Sequence, residues 1–233
     1  MSLQSLSSER PVMAHYPVGA STGWLAADQR AAGEAPEWPV LAGRAKRQFA
    51  GAVELAALSE PELPALIEWL VQRPSLPFDF LSLHAPSKAR ALPEPELVAL
   101  LAQVSERVDA IVLHPDVIED HAAWALLGRA LVIENMDPRK QDGRTADSLA
   151  PHFEQLPEAG LCFDVAHAYA IDPTLAEGHA ILDRFGDRLR HLHVSALDAA
   201  HHHVALNAQD EERIRPLLER CRDVPWILEA PLA

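Results

Sequence analysis

The sequence predicts a single eight-stranded α/β barrel, and three observations support this. Short apolar runs alternate with helical segments of about a dozen residues, the pattern that βα units produce. Eight such runs occur in 233 residues, a usual length for one (β/α)8 barrel. The runs are apolar on both faces, as buried parallel strands are. We therefore expect one barrel domain over residues 13–233, preceded by an arm over residues 1–12.

The candidate strands follow one another along the whole chain. In order they are Pro17–Ser21, Gly51–Ala57, Phe78–His84, Ala110–His114, Leu131–Asn135, Gly160–Val165, Leu189–Ser195 and Pro225–Glu229. Helices with apolar residues at helical spacing are predicted between them, at Pro61–Gln72, Pro95–Val108 and Asp210–Arg222. Pro36 and Pro39 should divide Ala26–Gln48 into a short helix, a loop and a second helix, because proline interrupts helical hydrogen bonding.

The C-terminal end of the predicted barrel lacks one element. Only four residues follow Glu229, too few for an eighth helix. The apolar flank that this helix would cover is then shielded by the N-terminal arm, by a partner subunit in a homo-oligomer, or by nothing.

Composition limits the partners that the chain can have. Its 20 basic and 34 acidic residues give a net charge of −14, which argues against nucleic acid and anionic membranes because like charges repel at long range. Cys162 and Cys221 lack CxxC spacing, and the first residues lack the apolar core of a secretory signal. No apolar run approaches the roughly 18 residues that span a bilayer. We therefore expect a reduced, cytoplasmic protein that acts on a small molecule.

Metal-competent side chains stand at the end of every candidate strand from the third onward. They are His84, His114, Glu134, Asp164 with His167, His191 with His193, and Glu229. The C-terminal ends of barrel strands open onto one face, so these residues should converge. A lone strand-end histidine is more often structural, and a lone aspartate is often a helix cap, but repetition at six strand ends is harder to explain in that way. Such ligands favour zinc or manganese over magnesium, with one to three ions bound.

Three segments resemble the xylose isomerase-like barrels, a superfamily that includes endonuclease IV. CFDVAHAYAID is similar to the endonuclease IV segment after the sixth strand, and AVELAALS is similar to the second strand of the superfamily. LHVSAL, followed by HHHVAL, occupies the place of the seventh strand and the loop after it. The resemblance runs from about Val18 to the C-terminus and implies an enzyme of sugar or sugar-phosphate isomerase/epimerase type.

The resemblance also implies the principal metal ligands. The set shared by the isomerases and epimerases of the superfamily corresponds to Glu134, Asp164, His193 and Glu229. We prefer His193 to His191 as the ligand on strand seven because it lies nearer the open end, although both point the same way by the period-two rule.

Further histidines match positions that complete a two- or three-metal cluster in endonuclease IV. They are His84, His114 and His167, completed in that enzyme by a D-x-H loop after strand seven. Here the loop contains His201, His202 and His203, so His203 matches and the aspartate position is occupied by His201. The resemblance therefore supports a third metal less well than the first two.

Two reactions fit this constellation. As an isomerase or epimerase, the chain would exchange a proton with substrate carbon through Glu134 and Glu229, by way of an enediolate. The expected substrate contacts come from His167, Trp24, His191 and His201. As a metallohydrolase of endonuclease IV type, it would cleave a phosphoester with two or three metals bridged through Glu134.

A third interpretation is a non-enzymatic barrel that binds a metal or a sugar. We place the isomerase or epimerase first because the acidic charge and short loops favour a small substrate. The resemblance implies that this substrate is a carbohydrate or its phosphate, since small sugars are the commonest substrates of the superfamily. This choice is an analogy with the superfamily.

Overall fold

The computed structural model describes residues 15–231, and all eight candidate strands form the predicted barrel. The predicted arm over residues 1–12 lies outside the described residues. The barrel strands are β1 (Val18–Ser21), β2 (Ala52–Ala56), β3 (Phe80–His84), β4 (Ala110–Leu113), β5 (Leu131–Glu134), β6 (Gly160–Asp164), β7 (Leu189–Val194) and β10 (Trp226–Leu228). Each strand pairs in parallel with its neighbour, and β10 closes the barrel against β1. A short antiparallel hairpin, β8 (Ala196–Leu197) and β9 (His203–Val204), follows β7.

The α-helices of the described residues lie between the barrel strands. They are α1 (Thr22–Leu25), α2 (Ala27–Ala31), α3 (Trp38–Gln48), α4 (Leu63–Val71), α5 (Glu94–Ala102), α6 (His121–Trp124), α7 (Ala146–Gln155), α8 (Val165–Ile171), α9 (Ala176–Phe185) and α10 (Ala208–Arg220). Short 3₁₀ helices occur at Glu60–Glu62, Pro115–Val117, Ala125–Ala130 and Gly186–Arg188. The predicted division of Ala26–Gln48 is confirmed, with Pro39 in the first turn of α3, where proline is tolerated.

Within residues 15–231, no helix follows β10, in agreement with the missing eighth helix. Trp226 and Leu228 on this strand are nevertheless buried. The Trp226 indole Nε1 donates to the Cys221 carbonyl at 2.8 Å, and the Trp24 indole Nε1 donates to the Leu228 carbonyl at 2.9 Å. Trp24 thus joins α1, the helix directly after β1, to the end of β10. A homo-oligomer formed through this flank stays a prediction.

The barrel interior changes in character along its axis. Ala110, Val112, Val132 and Cys162 form a small buried apolar cluster inside the barrel, with Phe80 packed against it. Beyond this cluster, the C-terminal ends of the strands carry buried ionisable side chains. The apolar layer therefore supports the candidate site from below. None of the described helices is long and apolar enough to cross a bilayer.

Candidate metal centre

Side chains at or just after the C-terminal ends of four strands meet at the mouth of the barrel, where the sequence predicted them. We call Glu134, Asp164, His193 and Glu229 the four-residue set. Each offers one ligand atom, and these atoms all lie within 4.8 Å of one another. The side chains of the set are buried, apart from that of Glu229, which is 13% exposed. A divalent cation could be reached by all four side chains.

His193 lies at the centre of this set and is fully buried. Its Nδ1 is 3.0 Å from Glu134 Oε1 and 3.5 Å from Glu229 Oε1. Its Nε2 is 3.0 Å from Glu54 Oε2 on β2. Burial alone would lower the pKa of His193, but the neighbouring Cys162 and the surrounding carboxylates raise that pKa well above its ordinary value. The imidazole is therefore held by carboxylates on both of its nitrogen atoms.

Asp164 serves both as a helix cap and as a candidate ligand. Its Oδ1 accepts the His167 backbone N–H at 2.7 Å and thereby caps α8. Its Oδ2 is buried without a hydrogen-bond partner among the described residues. The Asn135 side chain bonds both the N–H and the carbonyl of Asp164, at 2.8 and 2.9 Å, and so fixes its backbone. The cap leaves one carboxylate oxygen available for a cation.

His84 and His114 approach the other oxygen of Glu134, and we call them the outer histidine pair. Their Nε2 atoms lie 3.3 and 3.2 Å from Glu134 Oε2, whereas Oε1 of the same carboxylate faces His193. Burial would raise the pKa of Glu134, but His193 and the outer histidine pair lower it well below its ordinary value. Glu134 is thus placed to bridge two groups of ligands.

The pKa values of the outer histidine pair are shifted in opposite directions. Burial would lower the pKa of His84, but its hydrogen bond to Glu134 raises it. Burial lowers the pKa of His114 despite the same carboxylate. His84 Nδ1 also donates to the Ala85 carbonyl at 2.9 Å, whereas His114 Nδ1 is buried and has no hydrogen-bond partner within residues 15–231.

A third group contains His167 and His203 together with Asp164. His167 Nδ1 donates to the Asn135 carbonyl at 2.9 Å, and its Nε2 is 3.7 Å from Asp137 Oδ2. His203 Nδ1 is 2.8 Å from Ser195 Oγ. Burial lowers the pKa of His203 to about 4, so this imidazole is neutral near neutral pH.

The three consecutive histidines after β7 have separate positions. His203 lies in the site, 3.2 Å from Glu229 Oε2 through its Nδ1. The His202 side chain is 70% exposed and lies beside Asp198. His201 has a left-handed backbone, with φ of 58°, in the hairpin loop and lines the mouth cavity. The loop therefore contributes one candidate metal ligand, His203, rather than a D-x-H pair.

The donor set fits a divalent cation. Among residues 15–231, Asp164 Oδ2, His167 Nε2 and Glu229 Oε2 are buried and make no hydrogen bond. Burying such atoms without partners is costly, and a cation would satisfy the carboxylate oxygens. Burial raises the pKa of Glu229 well above its ordinary value. A nearby cation would favour its ionised form instead.

A cavity of about 680 Å³ opens above these residues. Trp24 and His201 line it together with Glu134, His167 and Glu229. Trp24 can form the predicted apolar wall, since its indole N–H is already bonded to the Leu228 carbonyl.

His191 is placed differently from the other predicted substrate contacts. It is fully buried, and neither ring nitrogen has a hydrogen-bond partner among the described residues. Burial lowers its pKa to about 3, so the ring is neutral. Its ring lies against those of His193 and Phe80, at centroid distances of 5.3 and 5.2 Å, and it does not line the cavity. A substrate in the cavity would therefore not reach His191.

Sequence reasoning missed three residues around the site: Glu54, Asn135 and Cys162. Cys162 forms a candidate ligand group with His191 and His193, but the Nε2 atom of His193 already faces Glu54. Glu54 is a fully buried acid inside β2, an otherwise apolar strand. An acid in the middle of an apolar run was the available signal, because such residues are rarely buried without a partner.

Comparisons with known proteins agree on the fold. No protein-family model and no curated protein sequence matches the chain. D-psicose 3-epimerase from Clostridium cellulolyticum H10, whose structure was solved with D-tagatose, matches with a TM-score of 0.55 at 13% identity, over 93% of this chain and 85% of that one. A 3-keto-D-glucoside 4-epimerase from E. coli matches with a TM-score of 0.54 at 13% identity, over 94% of this chain and 93% of that one.

A D-allulose 3-epimerase from Methylomonas sp. gives a similar result, with a TM-score of 0.52 at 14% identity, over 94% of this chain and 86% of that one. The chain therefore has the same (β/α)8 barrel fold as these epimerases, and the predicted fold is confirmed. At these identities the likeness concerns the fold alone.

Proposed function

We propose that the chain is a divalent-metal-dependent isomerase or epimerase of a sugar or sugar phosphate. The observation that carries this proposal is the convergence of the four-residue set within 4.8 Å at the mouth of the barrel. Solved structures with the same fold are named as sugar epimerases. The cavity of about 680 Å³ is in the range of small-molecule sites.

In this proposal the four-residue set holds a zinc or manganese ion. When bound, the ion supplies Lewis-acid polarisation of a substrate carbonyl. Glu134 and Glu229 come from strands three apart in the barrel order, so their carboxylates approach the substrate from different sides. One removes a proton from the carbon beside the carbonyl. In an epimerisation, the other returns a proton to the opposite face of that carbon. In an isomerisation, the proton returns to the former carbonyl carbon while another proton moves between the two oxygens.

The other cavity residues position the substrate. His167 Nε2 makes no hydrogen bond within residues 15–231 and is assigned to a substrate hydroxyl. Trp24 provides an apolar wall, and His201 contributes a polar group at the rim of the cavity.

Solvent deuterium exchange tests this proposal without knowledge of the product. Metal-depleted protein is reloaded with Mn²⁺ or Zn²⁺ and incubated in D₂O with ketoses and their phosphates. We expect deuterium at the carbon beside the carbonyl, detected by NMR, and none with Glu134→Gln. Glu60→Gln is the matched control, because Glu60 is a buried carboxylate that bonds the Ala91 and Leu92 backbone outside the site. Absence of exchange with every ketose and ketose phosphate would contradict the proposal.

The outer histidine pair favours a second candidate, a phosphoester hydrolase with two or three metals. His84 and His114 reach Glu134 Oε2, whereas His193 contacts Oε1 of the same carboxylate. Hydrolysis of bis(p-nitrophenyl) phosphate that requires more than one ion per chain would support this candidate. The net charge of −14 argues against DNA as its substrate. Metal or sugar binding without any turnover would instead support a non-enzymatic barrel.

A further inference from the structure

Glu54 is a buried carboxylate clamped from three sides beneath the four-residue set. It lies on β2, in register with Ser21 of β1 and Ser82 of β3. Ser21 Oγ donates to its Oε1 at 3.0 Å, and Ser82 Oγ donates to its Oε2 at 3.2 Å. On the third side, His193 Nε2 is 3.0 Å from Oε2. The carboxylate is therefore fixed in position and faces the imidazole from behind.

This placement determines which nitrogen of His193 is free to bind a cation. An ionised carboxylate only accepts hydrogen bonds. A neutral imidazole has one N–H, and a carboxylate lies 3.0 Å from each nitrogen atom of His193. Glu134 and Glu229 belong to the four-residue set, and Glu54 does not. A cation bound by that set therefore leaves Glu54 as the acceptor, which favours the proton on Nε2. The lone pair is then on Nδ1, which points toward Glu134 Oε1 and Glu229 Oε1. Histidines that bind metals usually donate their other N–H to such a partner.

We infer that Glu54 is a positioning residue, which holds His193 as the Nε2–H tautomer with Nδ1 as the ligand atom. This inference depends on the proposed metal site and gives it a supporting residue. It also distinguishes the two histidines of β7, because His191 has no hydrogen-bond partner among the described residues and so nothing fixes its tautomer. His193 is therefore the ligand that β7 supplies.

The tautomer can be measured directly in the wild-type protein. Zn²⁺ is added to protein labelled with ¹⁵N at histidine, and NMR identifies the protonated nitrogen of His193. We expect a proton on Nε2 and coordination through Nδ1. Coordination through Nε2 with a proton on Nδ1 would overturn the inference and leave the proposed function standing. This measurement requires no variant, so it decides the question even if substitutions at Glu54 prevent folding.

Metal affinity provides a second measurement. Glu54→Gln keeps the size of the side chain and removes its charge, and we expect Zn²⁺ binding, measured by chelator competition, to weaken by roughly 10–100-fold. Glu60→Gln, the matched buried carboxylate, should bind as wild type does. A cooperative urea-unfolding transition in each metal-free variant establishes that both variants are folded. Wild-type affinity in a folded Glu54→Gln protein would overturn the inference alone, whereas a wild-type protein that binds no Zn²⁺ would overturn the proposed function as well.

Discussion

The four-residue set and the outer histidine pair share Glu134 but differ in what they offer a cation. The four-residue set contains three carboxylates and one imidazole, and two of its carboxylate oxygens make no hydrogen bond within residues 15–231. The outer histidine pair offers two imidazoles, which both converge on Glu134 Oε2. The four-residue set is thus complete as a ligand group, whereas the outer histidine pair needs Glu134 to become one.

This difference separates the two candidate reactions. Carboxylate-rich sites suit manganese, and sites richer in imidazole suit zinc. Proton transfer at carbon needs only the four-residue set, whereas phosphoester hydrolysis uses the outer histidine pair as well. Variants that affect one group and spare the other therefore distinguish the two functions.

Glu134→Gln should have the largest effect because both groups use this carboxylate. We expect deuterium exchange into substrate to fall by about 10²–10⁴-fold, the usual contribution of an acid–base group. Metal content after dialysis, measured by mass spectrometry, should fall as well. A variant that retains wild-type exchange would show that Glu134 is neither ligand nor base.

Replacing the outer histidine pair by asparagine, as His84→Asn with His114→Asn, should have a smaller effect. Because the four-residue set remains intact, we expect exchange to fall by less than about 10-fold, below the usual loss of an acid–base group. The metal content should be unchanged. Loss of one ion per chain, together with loss of phosphodiester cleavage, would support the hydrolase instead.

The stability of the metal-free protein should fall in acid because of the carboxylate behind His193. Burial would raise the pKa of Glu54, but His193 lowers it from 4.5 to about 2. The unfolded chain therefore takes up this proton first, and the stabilisation, present above pH 4.5, is lost as the pH falls toward 2. We expect a loss of about 3 kcal/mol, measured by urea unfolding over this range. Glu54→Gln should lack this component, and an unchanged pH profile in that variant would contradict the assignment.

His191→Leu should have the smallest effect, and it should raise the stability of the protein rather than lower it. Removing a buried imidazole without hydrogen bonds should stabilise the protein by about 1–2 kcal/mol. Burial lowers the pKa of His191 to about 3, so the wild-type protein loses stability as the pH falls from its ordinary value near 6.5. The variant should not show this loss in urea unfolding. Loss of Zn²⁺ affinity in this variant would identify His191 as the ligand of β7.

The sequence predicted the strands better than the ends of the helices. Buried parallel strands are continuous apolar runs, so all eight were found within a few residues of their observed bounds. The helix predicted over Pro95–Val108 ends at Ala102 instead. Apolar residues beyond it, such as Val104, are buried without continuing the helix. Hydrophobic spacing therefore indicated burial there and not helical structure.

The part of the candidate site that lies at the ends of the strands could be predicted from the sequence. Residues at the ends of parallel strands converge by topology alone, which places the four-residue set and the outer histidine pair. Glu54 could not be assigned a role, because its contact with His193 joins residues 139 apart and depends on the barrel register. The position of His191 below the site could not be predicted either. The alternation of side chains along β7 specifies which face of the strand a residue occupies but not how far along the barrel axis it lies. That position is determined by the packing of the His191 ring against Phe80.

Metal stoichiometry tests the central claim most directly. Wild-type protein and Asp164→Asn are loaded with Mn²⁺ or Zn²⁺, dialysed, and analysed for metal content. We expect one tightly held ion per wild-type chain and its loss in Asp164→Asn, because Asp164 Oδ2 belongs to the four-residue set. Two or three ions per chain would favour the hydrolase, and a wild-type chain without metal, or an ion retained in Asp164→Asn, would contradict the proposed site.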